Sequence, residues 1–156
     1  MVDDVTYLTP EGKTELEQEL HRLKEIERPA LAIKLKEAVS MGDLKENADY
    51  HDVREKMGLM DGKILRLETI LRDAVVVEND GANDMVRIGS KVTIREEGED
   101  EDEIFTIVGQ AEANSLEGKI SQKSPIGAAL LNRRKGDKVK VTTPNGAITL
   151  KIKKIE

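Results

Sequence analysis

Two carboxylates three residues apart, Asp43 and Glu46, stand in the stretch MGDLKENADY at positions 41–50, between two long helical patterns. Residues at that spacing on a first helical turn lie on neighbouring parts of one face, so both can direct oxygens at a single cation. Magnesium prefers oxygen ligands and keeps several waters, so two carboxylates alone make a weak, open site that another protein and a phosphate would have to complete. A second metal held in that way can ionise a water and neutralise charge developing during in-line phosphodiester displacement. The same spacing serves a plainer purpose, helix capping, with Asp43 as the cap and Glu46 completing the box. From the tip alone both readings stand.

The elements that must position this tip are legible on either side. LTPEGKTELEQEL opens like a helix, with Thr9 as N-cap, Pro10 at the first helical position and Glu11 near the positive end of the dipole. Leu16, Leu20 and Leu23 follow at coiled-coil spacing, and the stripe resumes with Ile26, Ala30 and Ile33 around Pro29, which is expected to kink the helix or free a carbonyl. Gly42 supplies a residue that commonly ends a helix. On the return, Val53, Met57, Met60, Ile64, Leu67, Leu71 and Ala74 alternate spacings of four and three, the seam of a heptad repeat. Helices of roughly 28 to 30 residues joined at the tip would make an antiparallel hairpin about 40 to 45 Å long.

Near residue 75 the period shifts to two. VRIGSKVTI, IFTIVG, GKISQ, DKVKVTT and AITLKIKKI alternate apolar and polar residues, and TPNGA joins the last two through an Asn-Gly turn. PIGAALLNR interrupts them as one short helix, and the acidic run from Glu96 to Glu103 reads as a solvated hairpin loop. The expected fold is α+β in two domains. Residues 1–76 form an antiparallel helical hairpin, and residues 77–156 a small antiparallel sheet carrying one short helix.

Composition closes several functional classes. A net charge of −6 argues against a nucleic-acid clamp spanning the chain, although local basic patches remain open. There are no cysteines, so neither a disulfide scaffold nor a thiolate metal site is available. No apolar run approaches the roughly 18 residues that span a bilayer, and no hydrophobic leader follows Met1, so a soluble, cytoplasmic protein is expected. His21 and His51 lie far apart, and His51 reads as a surface residue.

The hairpin, the tip string GDLKENADYHDVRE and the later string SPIGAALLNRRKGDKVKVTTPNG together resemble the bacterial Gre transcript-cleavage factors, over essentially the whole chain. The resemblance implies a factor that binds bacterial RNA polymerase, not an enzyme with its own pocket. Its coiled coil would enter the polymerase secondary channel. There its tip would stimulate the polymerase's own cleavage of the nascent RNA 3′ end in backtracked, arrested complexes. By motif match Asp43 and Glu46 would share a Mg²⁺ with the polymerase, no cofactor being bound tightly by the factor alone. Leu44, Asn47, Tyr50 and Arg54 would contact the polymerase or RNA. The second half would be an FKBP-like domain docking at the channel rim through Lys123, Ser124 and Pro125. Neither a membrane nor a small-molecule substrate is implied. Val39 stands where some relatives carry another arginine, which leaves the basic patch small. Asn132, where relatives often have glycine, also tolerates left-handed backbone.

Three other readings compete. An FKBP-like fold invites prolyl isomerisation, but such pockets are lined by aromatic side chains and this half holds only Phe105. A coiled-coil adaptor would carry an inert tip. A channel-binding inhibitor of polymerase would share the hairpin but alter the tip string, which this chain retains.

Overall fold

A computed structural model describes residues 5–42 and 44–156. The chain folds as two compact units: residues 13–73 form one, and the chain up to Gly12 joins residues 74–156 in the other.

The helical unit is the expected hairpin. Helix α1 (Pro10–Arg22) leads into a π-helical turn (Leu23–Glu27) and then α2 (Arg28–Ser40), and α3 (Ala48–Asp73) returns. In the π turn the Arg28 N–H donates to the Leu23 carbonyl, five residues back. Pro29 explains it: proline has no N–H to give, and its ring would strike the carbonyl of Glu25 in a regular helix, so the backbone widens just before it. One residue is thereby inserted into the apolar repeat. Downstream of the turn, Leu31 and Ala38 are buried and Ile33 is 61% exposed, while Ile26, within the turn, is 60% exposed. The expected stripe Ile26, Ala30, Ile33 is therefore corrected to one passing through Leu31, Leu35 and Ala38. The return seam is as expected, with Val53, Ile64 and Leu67 buried and Met57, Met60, Leu71 and Ala74 half-buried.

Ion pairs cross the hairpin outside the seam: Lys63 to Glu19 at 2.7 Å, Lys24 to Glu68 at 3.2 Å, and Arg28 to Asp61 at 2.7 Å. All three lie at the solvent-facing side of the hairpin, where screening leaves an ion pair little net worth, whereas a fully buried leucine contributes about 1.5–3 kcal/mol. The seam holds the helices together and the pairs select the register.

In the second unit, β1 (Tyr7–Leu8) and β2 (Val75–Val76) form a short parallel pair. The main sheet contains β3 (Lys91–Glu96), β4 (Asp102–Val108), β5 (Lys119–Ser121), β6 (Lys138–Thr143) and β7 (Gly146–Ile155), in the order β5-β4-β3-β7-β6. The acidic run makes the β3–β4 hairpin, and Asn-Gly closes β6–β7 with Gly146 at φ 120°. One pairing departs from the antiparallel expectation: β5 runs parallel to β4. The connection between them coils through two 3₁₀ turns, Gln110–Glu112 and Ser115–Glu117, and so carries the chain back before β5 begins. Helix α4 (Pro125–Leu130) packs on the sheet. Its Leu130 joins Val92, Ile94, Ile107, Val139, Val141, Leu150 and Ile152 in the core.

Thr9 caps α1 as expected, its Oγ1 accepting from the Gly12 N–H at 3.0 Å. The sequence does not reveal what holds Thr9 itself. The Glu112 carboxylate accepts from the Thr9 N–H at 2.8 Å and from the Thr9 hydroxyl at 2.5 Å, across 103 residues of chain.

Candidate functional site

The tip between α2 and α3 is a turn braced at both shoulders. Helix α2 ends at Met41, whose N–H donates to the Ala38 carbonyl, and Gly42 takes φ 117°, a backbone that side-chain-bearing residues rarely adopt. On the far side α3 begins at Ala48, and its cap is Asn47. The Asn47 Oδ1 accepts from the Tyr50 N–H at 3.0 Å, while its Nδ2 donates to the Ala38 carbonyl at 2.7 Å. One amide thus satisfies a free donor of α3 and a carbonyl at the end of α2.

This corrects the capping expectation for the carboxylates. Position 43 lies five residues before the first residue of α3, and the box expected from Asp43 and Glu46 is replaced by Asn47. The placement of Asp43 itself lies outside the described residues. Asn47 ahead of an acidic first-turn residue, Asp49, was a legible cap signal that the more conspicuous Asp-x-x-Glu spacing overshadowed.

His51 braces the other shoulder. Its Nε2 lies 3.2 Å from the Lys45 carbonyl, and because a carbonyl only accepts, that nitrogen carries a proton. Nothing in the spacing distinguished this residue from an ordinary surface histidine. Glu46 sits between the two braced positions, exposed, and its side chain makes no hydrogen bond or ion pair among the described residues. Leu44 is 40% exposed beside it.

Tyr50 lies one turn further along α3. Its hydroxyl accepts from Arg54 Nη1 at 3.0 Å, with the guanidinium carbon 5.9 Å from the ring centroid, and the His51 ring meets it edge-on at 5.5 Å. Arg54 is thereby held against the tip by a neighbour four residues back, the spacing at which helical side chains meet. The described residues contain no cluster of three or more His, Asp or Glu side chains able to hold a metal.

In the sheet unit, Ser124 caps α4. Its Oγ accepts from the Gly127 N–H at 3.0 Å and donates to the Ser121 carbonyl at 2.7 Å, so both functions of the hydroxyl are used locally. Gly127 allows this packing, since a Cβ there would lie 2.0 Å from the Ser121 oxygen. Lys123 and Pro125 flank Ser124 with exposed side chains. Asn132 follows α4 at φ 66°, the left-handed conformation expected for it.

Comparison with known proteins also finds two parts, divided between residues 76 and 81. Residues 6–76 match the family model described as transcription elongation factor, N-terminal, and residues 81–156 match that described as transcription elongation factor, GreA/GreB, C-term. The chain is 44% identical over 156 residues to the transcription elongation factor GreA of Chloroflexus aurantiacus, covering 99% of both chains. It is also 44% identical over 149 residues to GreA of Bacillus licheniformis, covering 95% of this chain and 94% of that one. Among solved structures, GreA factor homolog 1 of Thermus thermophilus aligns over 97% of this chain and 99% of its own, at 29% identity and a TM-score of 0.45. With both family models matched across nearly its whole length, the chain belongs to the GreA/GreB family of transcription elongation factors.

Proposed function

We propose that the protein works with bacterial RNA polymerase, in the cytoplasm, to stimulate the polymerase's own cleavage of RNA whose 3′ end has backed out of the active centre. The observation that carries this reading is the freedom of Glu46. Asn47 and His51 perform the structural work of the turn, and the carboxylate between them is left exposed and unpaired among the described residues. A carboxylate kept out of capping at the end of a hairpin whose α3 alone runs about 39 Å is suited to chemistry at a distance.

In this reading the hairpin enters the secondary channel, and Glu46 with Asp43 would hold one face of a Mg²⁺ whose other ligands come from the polymerase and the RNA phosphate. When bound there, the ion supplies water activation and charge neutralisation for phosphodiester displacement. Glu46 positions that face, Asn47 and His51 fix the turn presenting it, and Tyr50 keeps Arg54 directed beside the tip for RNA. Leu44 meets the channel wall. The second unit docks at the rim through Lys123 and Pro125, with Ser124 shaping the loop. The protein supplies part of a site and is not itself a nuclease.

The test uses a polymerase complex stalled and backtracked on 3′-labelled RNA. Adding the protein should speed release of short 3′ fragments, while the protein with Mg²⁺ and free RNA should leave the RNA intact. Unchanged cleavage on addition to the complex, or robust cleavage by the protein alone, would overturn the proposal.

A further inference from the structure

The tip carries apolar side chains that its capping network leaves in solvent. Val39 is 46% exposed and Met41 78%, and Leu44 is exposed on the far side of position 43. A single exposed apolar residue is ordinary on a protein surface, but three around one turn are not scattered. Met41 is the most open of them for a reason in the backbone. It is the C-cap of α2, and Gly42 at φ 117° turns the chain away, so no residue three or four positions further along the same helix lies over its side chain.

Sulfur separates Met41 from the other two. The chain has no cysteine, so thioethers are its only sulfur nucleophiles. Among the described residues the other methionines are sheltered: Met57 and Met60 lie half-buried in the α3 seam, and Met85 is half-buried next to the fully buried Val86. A small oxidant in solvent therefore meets Met41 first.

We propose that Met41 is a reversible oxidation site through which peroxide weakens the action of the tip, an inference that rests on the polymerase reading above. The Met41 sulfur lone pair attacks one oxygen of hydrogen peroxide, an S–O bond forms and the O–O bond breaks. Sulfur gives up two electrons, and the second oxygen keeps them and leaves as water once the protons are shared out. The product, methionine sulfoxide, is polar where the thioether was apolar. In the channel Met41 and Leu44 flank the carboxylates as apolar contacts, and a sulfoxide must shed bound water to make the same contact. Affinity for the complex falls, while Asp43 and Glu46 keep their chemistry. The fold is untouched because the added oxygen enters solvent; at Met57 or Met60 it would enter the seam. A sulfoxide reductase with a thiol reductant removes the oxygen again, and the exposure that admits peroxide also admits that enzyme.

The test treats the full-length protein with graded hydrogen peroxide, stops the reaction with catalase, maps each methionine by peptide mass spectrometry, and then adds the protein to the backtracked polymerase complex. Met41 should gain an oxygen before Met57, Met60 and Met85. Protein oxidised there should keep its thermal midpoint and its cleavage rate at saturation, while the concentration giving half-maximal cleavage rises about fivefold. Treatment with a methionine sulfoxide reductase should restore the starting value. Met41→Leu keeps an apolar side chain without the sulfur, so its potency should be the same before and after the peroxide treatment. The inference is overturned by earlier oxidation of a seam methionine, by unchanged potency once Met41 is converted, or by an equal loss in treated Met41→Leu. An untreated parent that gives no stimulation refutes the polymerase reading instead, and the switch with it.

Discussion

Asn47 and Ala38 close the hairpin from opposite helices: the Asn47 Nδ2 donates to the Ala38 carbonyl at 2.7 Å while its Oδ1 caps α3. Ala38 is itself buried in the seam, so the bond ties the tip to the last packed layer. Asn47→Ala removes both bonds and should destabilise the helical unit by about 1–2 kcal/mol. Asn47→Asp keeps the cap but turns an acceptor toward the Ala38 carbonyl, so it should lose the cross-helix bond alone. Amide exchange at Tyr50 separates the two: the alanine variant should expose that amide, and the aspartate variant should protect it.

Gly12 and Glu112 are coupled in the same manner at the other end of α1. A Cβ at position 12 would lie 1.7 Å from Glu112 Oε1, so Gly12→Ala should expel the carboxylate from Thr9. Loss of those charge-assisted bonds should cost about 1.5–3 kcal/mol. In a Glu112→Ala background the same substitution should cost almost nothing. A double-mutant cycle by urea denaturation checks this, and additive effects would refute the coupling.

Gly58 and Gly62 lie inside α3, and beyond the neighbouring helix backbone no atom comes within 4 Å of where a Cβ would stand. Alanine at each should stabilise the helix by about 0.5–1 kcal/mol. Urea midpoints measure the gain, and a loss of stability would show that the helix needs glycine there.

The Arg28 hydrogen bond and charge hold the Asp61 carboxyl below its ordinary range. A depressed folded-state value contributes stability above the unfolded value, and that contribution is lost as pH falls through the folded one. The urea midpoint of the parent should therefore exceed that of Asp61→Asn at neutral pH, with the gap closing under acid. The pair is exposed, so the gap should be small and shrink with salt.

How much of this was legible follows from the range of each interaction. The α3 seam could be read because seven apolar residues keep an unbroken local repeat. The α1–α2 seam could be read only to Leu23, because the π turn ahead of Pro29 adds a residue and moves burial from the expected Ile33 to Leu31 and Ala38. The Asn-Gly hairpin and the Thr9 and Ser124 caps are set within a few residues and were visible. The parallel β4–β5 pairing and the Glu112 hold on Thr9 depend on parts of the chain distant in sequence, which no periodicity reports. At the tip, the spacing of Asp43 and Glu46 suggested capping, and only the observed start of α3 assigned that work to Asn47.

The most direct measurement is RNA cleavage by a backtracked polymerase complex supplied with Glu46→Gln. Because Glu46 caps nothing among the described residues, the substitution should leave the thermal midpoint and competitive binding to polymerase close to those of the parent. The neutral amide is a much poorer magnesium ligand, so stimulated cleavage should be nearly abolished, and Asp43→Asn should behave likewise. Full cleavage by the folded, polymerase-bound Glu46→Gln protein would contradict the account.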